Sequence, residues 1–262
     1  MCDMAKGQPW SRDELLVAFR LYCRMPFGKL HHGNSEIIAL AKLLGRTPSA
    51  VGMKACNFAS LDPAQQARGI RGLANGSRAE ISLWEAFLHN PEAVAAEAEA
   101  VYAALEQKAT PQAVAAPPDD GETIPPAGPT EILRDIRARR VQGFFRATVL
   151  ISYRHQCALS GIALPELLNA SHIIPWSDNV SRRADPRNGI ALNALYDRAF
   201  DRGLITFDGA FRVVLSSRLR CADPPLHRQA LLEVEGRSLN LPERFTPDPA
   251  ALAWHREHMF TP

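Results

Sequence analysis

Between residues 109 and 130 the chain reads ATPQAVAAPPDDGETIPPAGPT, and this stretch sets how many cores the rest can form. It consists of Pro, Ala, Gly and acid with almost nothing to bury, so it predicts an extended linker between domains. The 262 residues then divide into a helical domain over 1–108, the linker over 109–129, and a second domain over 130–262. Either flanking segment is long enough to enclose a core of its own.

Upstream of the linker the apolar spacing is helical. SRDELLVAFRLYCR (11–24) opens on Ser11 with Glu14 three residues later, a capping box, and sets Leu15, Leu16, Phe19 and Tyr22 on one face. NSEIIALAKLLG predicts a second helix closed by Gly45. Thr47 as N-cap and Pro48 at the first helical position start a third, SAVGMKACNFASLD, with Val51, Ala55 and Phe58 facing inward. Helix, short turn, helix after an earlier amphipathic helix is a helix-turn-helix layout. The string PWSRDELLVAFRLY…LAKLLGRTPSAVGMKACNF resembles the tryptophan-anchored helix-turn-helix domains of the Myb/SANT kind. That resemblance implies that Arg46, Ser49, Lys54 and Asn57 face a DNA groove. The alternative is a helical interaction domain without DNA contact. The charge of residues 1–108, 12 Lys and Arg against 11 Asp and Glu, favours it somewhat. SLWEAFLHNPEAVAAEAEAVYAALEQK continues helical, with Trp84, Phe87 and Tyr102 as core residues.

Composition limits the surroundings and the partners. The five cysteines (Cys2, Cys23, Cys56, Cys157, Cys221) are scattered and form no C-x-x-C, which argues against a disulfide framework and a cysteine zinc site. MCDMAKGQPWSRDE lacks the apolar core of a signal peptide, and no stretch approaches the roughly 20 apolar residues of a membrane span. The expectation is a cytoplasmic protein with no membrane partner. From residue 130 onward there are 18 Arg, no Lys and 14 acids, so this part is net basic through the cation that grips phosphate bidentately. In TEILRDIRARRVQGFFRATVLISYRHQCALSG, Thr130 predicts a capped helix with Ile132, Leu133, Ile136, Val141, Phe144 and Phe145 along it. Arg134, Arg137, Arg139, Arg140 and Arg146 accompany that stripe as candidates for a phosphate backbone, against the plainer reading of a solvated face.

The chemistry concentrates in NASHIIPWSDNVSRRADPRNGIALNALYDRAFDRGLITFDGAFRVVLSS. A strand over 168–174 stops at Pro175, and a polar loop closes with Asn188. GIALN forms a second strand, and ALYDRAFDRG a helix of two turns. LITF, the turn Asp208-Gly209, and FRVVLS form a further hairpin. Strand, loop, strand, helix brings His172, Asn188 and Asp197 together, with Asp201 one turn further along the helix. A histidine can take a proton from water near neutral pH. An amide can fix its tautomer, and a carboxylate can hold a divalent cation against a phosphate oxygen. Phosphodiester hydrolysis needs those functions. Arg182, Arg183 and Arg187 are candidate phosphate clamps, and Trp176 and Phe200 candidates for packing the hairpin. Plainer readings stand beside these: a core histidine, a turn at Asn188-Gly189, and Asp201 paired with Arg198 or Arg202. Asp185-Pro186 reads as loop chemistry, and His155, His227, His255 and His258 have no identified partners.

SHIIPW…DPRNGIALNALYDRAFDRGLITFD resembles the HNH endonucleases with a ββα-metal finger, in particular a bacterial restriction-endonuclease subgroup. RVQGFFRATVLISYRHQCALSG resembles the segment leading into that subgroup's site, and together the likeness covers residues 134 to 218. It implies an α+β protein, an all-helical, helix-turn-helix-like N-terminal domain followed by a ββα-metal domain that hydrolyses DNA, in restriction or defence. His172 would be the general base, Asn188 the residue orienting it, and Asp197, with Asp201, the holder of Mg²⁺ or Mn²⁺. Cutting both strands would call for a homodimer or two encounters. Two positions depart from the family pattern: Ser171 stands where an acidic ligand often precedes the histidine, and Asp197 replaces His or Asn. Paired cysteines are missing, so no structural zinc is expected. Ser171 also favours a rival, a non-cleaving DNA-binding or regulatory protein with a degenerate HNH fold. A nuclease for structured RNA or of transposon type is a third possibility.

Overall fold

Ser11 Oγ accepts from the Glu14 backbone N–H at 3.2 Å, and the Glu14 carboxylate accepts from the Ser11 N–H at 2.8 Å. Helix α1 (Arg12–Arg24) therefore begins where the capping box predicts. The computed structural model describes residues 8–70, 77–109, 129–221 and 224–262; the stretch 110–128, which holds all of the expected linker but its two end residues, lies outside them. Helix α2 (Ser35–Leu44) ends at Gly45, whose φ of 63° is the left-handed cap that glycine adopts without strain. Thr47 accepts from the Ala50 N–H and opens α3 (Pro48–Ala59). Next come α4 (Pro63–Ala67), α5 (Arg78–His89), α6 (Pro91–Ala109) and α7 (Pro129–Ser152). The chain forms two compact units. The first comprises the described residues of Met1–Leu61 and Gly69–Phe144, the second those of Asp62–Arg68 and Phe145–Pro262.

The first unit is all helical. Phe19 meets Phe87 at 4.7 Å and Phe58 at 5.2 Å, both edge to face, with Trp84 at 6.2 Å. Tyr102 is only half-buried, beneath the Arg20 guanidinium at 3.7 Å. The groove-facing set expected from the sequence needs correcting. Glu80 is buried, and a buried carboxylate needs partners. Lys54 Nζ and Asn57 Nδ2 supply them, each at 2.9 Å. Arg46 pairs with Glu14 at 2.7 Å and lies 5.0 Å over the Trp10 ring. Three of the four candidate DNA readers are thus committed within the bundle, and Ser49 alone of the set is exposed.

In the second unit β1 (Leu168–His172) runs antiparallel to β2 (Gly189–Asn193), with His172 opposite Gly189 and Leu168 opposite Asn193. Asn193 caps α8 (Ala194–Asp201) by accepting from the Tyr196 N–H at 3.0 Å. A second hairpin pairs β3 (Ile205–Phe207) with β4 (Val213–Leu215), and the helix Pro249–His258 follows near the C-terminus. Ile173, Ile190, Leu192, Phe200, Ile205 and Phe207 are fully buried at its centre. Two sequence expectations are corrected. β1 stops two residues early: the Ile173 N–H still donates to the Asn188 carbonyl in register, but the N–H and carbonyl of Ile174 are taken by the Asn188 side-chain amide. The β3–β4 connection is not a two-residue Asp-Gly turn. Asp208 Oδ1 accepts from the N–H groups of Ala210 and Arg212, and the positive φ falls on Phe211 at 60°.

Residues 62–68 complete this unit from far away in sequence. Asp62 Oδ1 caps α4 through the Ala64 N–H at 2.9 Å, while Oδ2 accepts from the buried Phe245 N–H at 3.1 Å. Glu243 bridges Arg68 and Arg154. Asp62→Ala removes the cap and strands the Phe245 N–H, so unfolding free energy should fall by about 2 kcal/mol. Thermal denaturation reads this; an unchanged melting temperature would show that neither bond matters.

His255 gives the unit an acid limit. Its ring lies 3.8 Å from Phe200, stacked, with Nδ1 accepting from Thr206 Oγ1 at 2.9 Å and Nε2 donating to the Phe200 carbonyl at 3.2 Å. Burial, with the Arg256 charge adding, pushes its pKa down to about 4. The fold holds this ring neutral, whereas the unfolded chain takes up a proton below about pH 6.5. Stability is therefore whole above pH 6.5 and declines as pH falls through the window down to about 4, by about 3 kcal/mol for this ring. Urea unfolding at neutral and acid pH should show a smaller acid loss in His255→Gln than in the wild type.

Candidate active site

β1 ends at His172, and the groups that hold its ring come from α7 and from the loop that follows. Phe145 stacks on the half-buried imidazole at 3.7 Å with 12° between the planes, and Trp176 meets it edge-on at 5.7 Å. Nε2 lies 3.0 Å from the Arg183 carbonyl oxygen. A carbonyl can only accept, so Nε2 carries the proton and Nδ1 keeps its lone pair. Burial lowers the pKa of the ring below the usual histidine value, and the nearby Asp197 carboxylate opposes this only in part. The result is a neutral imidazole with one nitrogen able to accept a proton.

Asn188 does not orient that ring, contrary to expectation. Its Oδ1 accepts from the Ile174 N–H at 2.9 Å, and Nδ2 donates to the carbonyls of Ile174 at 3.0 Å and Arg182 at 3.5 Å. The chain turns away from β1 at this point, so the main-chain groups of buried Ile174 need partners that the strand no longer offers. The amide supplies both, and so closes the loop that presents the Arg183 carbonyl. Gly189, the next residue, leaves room for α7. A Cβ there would come within 2.5 Å of Val149 Cγ2 and 2.8 Å of Phe145 Cζ.

Asp197 stands on the first turn of α8. Asn169 Nδ2 donates to its Oδ2 at 2.6 Å, and Ser171 Oγ donates to its Oδ1. Strand alternation sets residues 169 and 171 on one face of β1, which is how both reach the same carboxylate. Asp201 follows one turn later. Partial desolvation, with the Asp197 charge adding, pushes its pKa up to about 6. Arg198 and Arg202 act on it only through space, and neither Asp197 nor Asp201 forms an ion pair among the described residues. No group of three or more His, Cys, Asp or Glu is arranged for a metal among those residues. The donors fit a hard cation all the same. Such an ion takes one or two carboxylates and completes its shell with water and substrate phosphate, and here two mutually repelling carboxylates form no ion pair among the described residues.

The arginines separate into distinct groups. Asp185, which the sequence suggested was simple loop chemistry, is a buried anchor. It receives Arg187 at 2.9 Å and Arg182 at 3.1 Å, and Arg182 also reaches Asp248 at 2.7 Å. Arg182 and Arg187 are therefore corrected from phosphate clamps to internal ties, because a buried carboxylate needs cationic partners. Arg183 donates through Nε to the Trp176 carbonyl at 2.8 Å and lies 4.9 Å over the indole. Arg146, exposed on α7, donates to the Leu168 carbonyl at 2.9 Å. Arg137, 3.9 Å from Glu92, and the exposed Arg139 and Arg140 belong to the first unit.

Asn169 was missed as a site group, Ser171 was read only as a departure from the family pattern and not as a donor to Asp197, and the Arg183 carbonyl was missed. Two polar side chains at i and i+2 on a short inner strand were a legible signal for the first pair. The carbonyl had none, since any residue carries one. No curated protein matches the chain. A family does match: the model of the HNH endonucleases aligns over residues 157–208, from Cys157 ahead of β1, through β2 and α8, to Asp208 just after β3. The chain thus carries an HNH endonuclease domain, within which lie both the imidazole at the end of β1 and the carboxylate on α8.

Proposed function

We propose that the protein is a metal-dependent DNA endonuclease acting in restriction or defence, with His172 as general base. The observation that carries this is the 3.0 Å contact from His172 Nε2 to the Arg183 carbonyl, which leaves Nδ1 as a proton acceptor. Water gives a proton to Nδ1 as its oxygen attacks the phosphorus in line. The P–O3′ bond breaks, and the departing oxygen takes a proton from solvent. The ends are 5′-phosphate and 3′-hydroxyl, and the imidazolium returns its proton to bulk water. Asp197, with Asp201, would hold Mg²⁺ or Mn²⁺, which would supply neutralisation of the charge that builds up on the phosphate. Asn169 and Ser171 hold the Asp197 carboxylate, Asn188 positions the loop, and Arg183 and Arg146 contact phosphates. The first unit holds a partner or DNA, and the placement of Arg46, Lys54 and Asn57 favours a partner. No described helix is long and apolar enough to cross a membrane.

A second reading, a DNA-binding protein that does not cut, draws on Ser171, whose hydroxyl is committed to Asp197 and adds no charge to the site. Supercoiled plasmid incubated with Mg²⁺, Mn²⁺ or EDTA separates the two. Nicked circles with ligatable 5′-phosphate ends in metal but not in EDTA, lost in Asp197→Asn, support the nuclease. Binding without cleavage in either metal supports the second reading. Parallel digestion of single-stranded DNA and RNA tests the substrate, and sedimentation with and without duplex tests the dimer.

A further inference from the structure

Of the three arginines in the loop between β1 and β2, Arg182 and Arg187 have carboxylate partners and Arg183 has none among the described residues. Arg183 is nonetheless held firmly. Its Nε donates to the Trp176 main-chain carbonyl at 2.8 Å, and its guanidinium carbon lies 4.9 Å from the centroid of the indole of the same residue. A planar cation gripped at one nitrogen and against one face keeps its terminal nitrogens in a fixed direction. The Trp176 ring in turn meets the His172 imidazole edge-on at 5.7 Å, and the Arg183 carbonyl accepts from His172 Nε2 at 3.0 Å. Base, cation and indole therefore form a closed circuit of three residues.

We propose that Trp176 is a positioning residue that sets the Arg183 guanidinium as the phosphate clamp beside His172. The proposal rests on the nuclease reading for the identity of the anion. One residue then does two things: the carbonyl of Arg183 fixes the tautomer of the base, and its side chain takes a backbone phosphate. The register between phosphate and base is set within a single residue, and Trp176 keeps that residue in place. Substituting Arg183 leaves its carbonyl intact, so the variant reports on the guanidinium.

The test is a double-mutant cycle on the full chain, with a short fluorescein-labelled DNA duplex as probe and EDTA present so that nothing is cut. Arg183→Ala should weaken binding about tenfold and reduce the slope of log affinity against log salt by about one. Trp176→Leu, which keeps apolar volume but no π-face, should cost about fivefold in the wild type. In the Arg183→Ala background the same change should cost less than about 1.5-fold, because its effect passes through the missing guanidinium. Trp176→Phe should restore most of the affinity. Melting temperatures identify any variant that fails to fold, and the Phe variant then carries the cycle. Equal losses from Trp176→Leu in both backgrounds would overturn the inference, as would an unchanged affinity and salt slope in Arg183→Ala. Cleavage by His172→Ala, assayed in parallel with metal, keeps the two readings apart. Unchanged cleavage there removes His172 as the base on which the nuclease reading rests, while an additive cycle with that activity lost ends only the role of Trp176. A wild type that does not hold the duplex ends both.

Discussion

His172→Ala should cut plasmid about 10²- to 10⁴-fold more slowly than the wild type, the usual loss when a positioned general base is removed. Duplex affinity should stay within about twofold, because the phosphate contacts lie on arginines and not on the imidazole. The substitution also removes the ring stacked on Phe145, so the melting temperature has to be followed, and His172→Gln provides a variant closer in size. The pH dependence is the sharper readout. A general base works in its neutral form, and burial holds the His172 pKa below the ordinary histidine value. The rate should therefore stay level as pH falls through about 6.5 and decline only at lower pH, as the ring at last takes up a proton. Wild-type activity halved at or above pH 6.5 would contradict the burial of the ring. Unchanged activity in the alanine variant would remove His172 from the chemistry.

Much of this site was legible in the sequence, for reasons that also mark where legibility stops. The Ser11–Glu14 capping box, the Gly45 stop and the Thr47-Pro48 start are local rules, and each element forms where its rule places it. GIALN followed by ALYDRAFD likewise becomes strand and helix, because an apolar run and then an Asn cap leave the chain few alternatives. Partners were the harder part. Arg182 and Arg187 resembled solvent-facing clamps until the fold buried Asp185 between them. Lys54 and Asn57 resembled groove readers until Glu80, 23 residues beyond Asn57, was buried against them. Spacing along a helix says which side a residue occupies; it does not say whether a buried charge arrives there from another element. Asn188 shows the same limit on a smaller scale. It was expected to orient the imidazole, but its amide answers the needs of the Ile174 main chain, and no pattern of side chains reveals those. The strand 168–174 was overextended because Ile173 and Ile174 have strand composition, yet the main-chain groups of Ile174 bond to the Asn188 side chain and not to a neighbouring strand.

Gly189→Ala should lower unfolding free energy by about 3 kcal/mol, at the upper end of what adding one methyl to a packed core costs. The reason is steric and not conformational, since this glycine has an ordinary extended backbone with φ −133°. Its missing Cβ is the space into which α7 packs. An added methyl would stand 2.5 Å from Val149 Cγ2 and 2.8 Å from Phe145 Cζ, well inside van der Waals contact. Neither neighbour can yield easily. Val149 is buried and β-branched, and Phe145 is held with its edge at Gly189 and its face on the His172 imidazole. Any relief must move the Phe145 ring, and the base moves with it. The substitution should therefore reduce cleavage as well as stability, and shift the His172 ring protons downfield in NMR spectra as the stacked aromatic withdraws. Gly143→Ala, two residues from Phe145 on the same helix, is the control. Nothing lies within 4 Å of a Cβ there, so alanine should raise stability by about 0.5–1 kcal/mol through helix propensity alone. If Gly189→Ala melts with the wild type and keeps the same imidazole shifts, the close approach of α7 to β2 is not what seats the base.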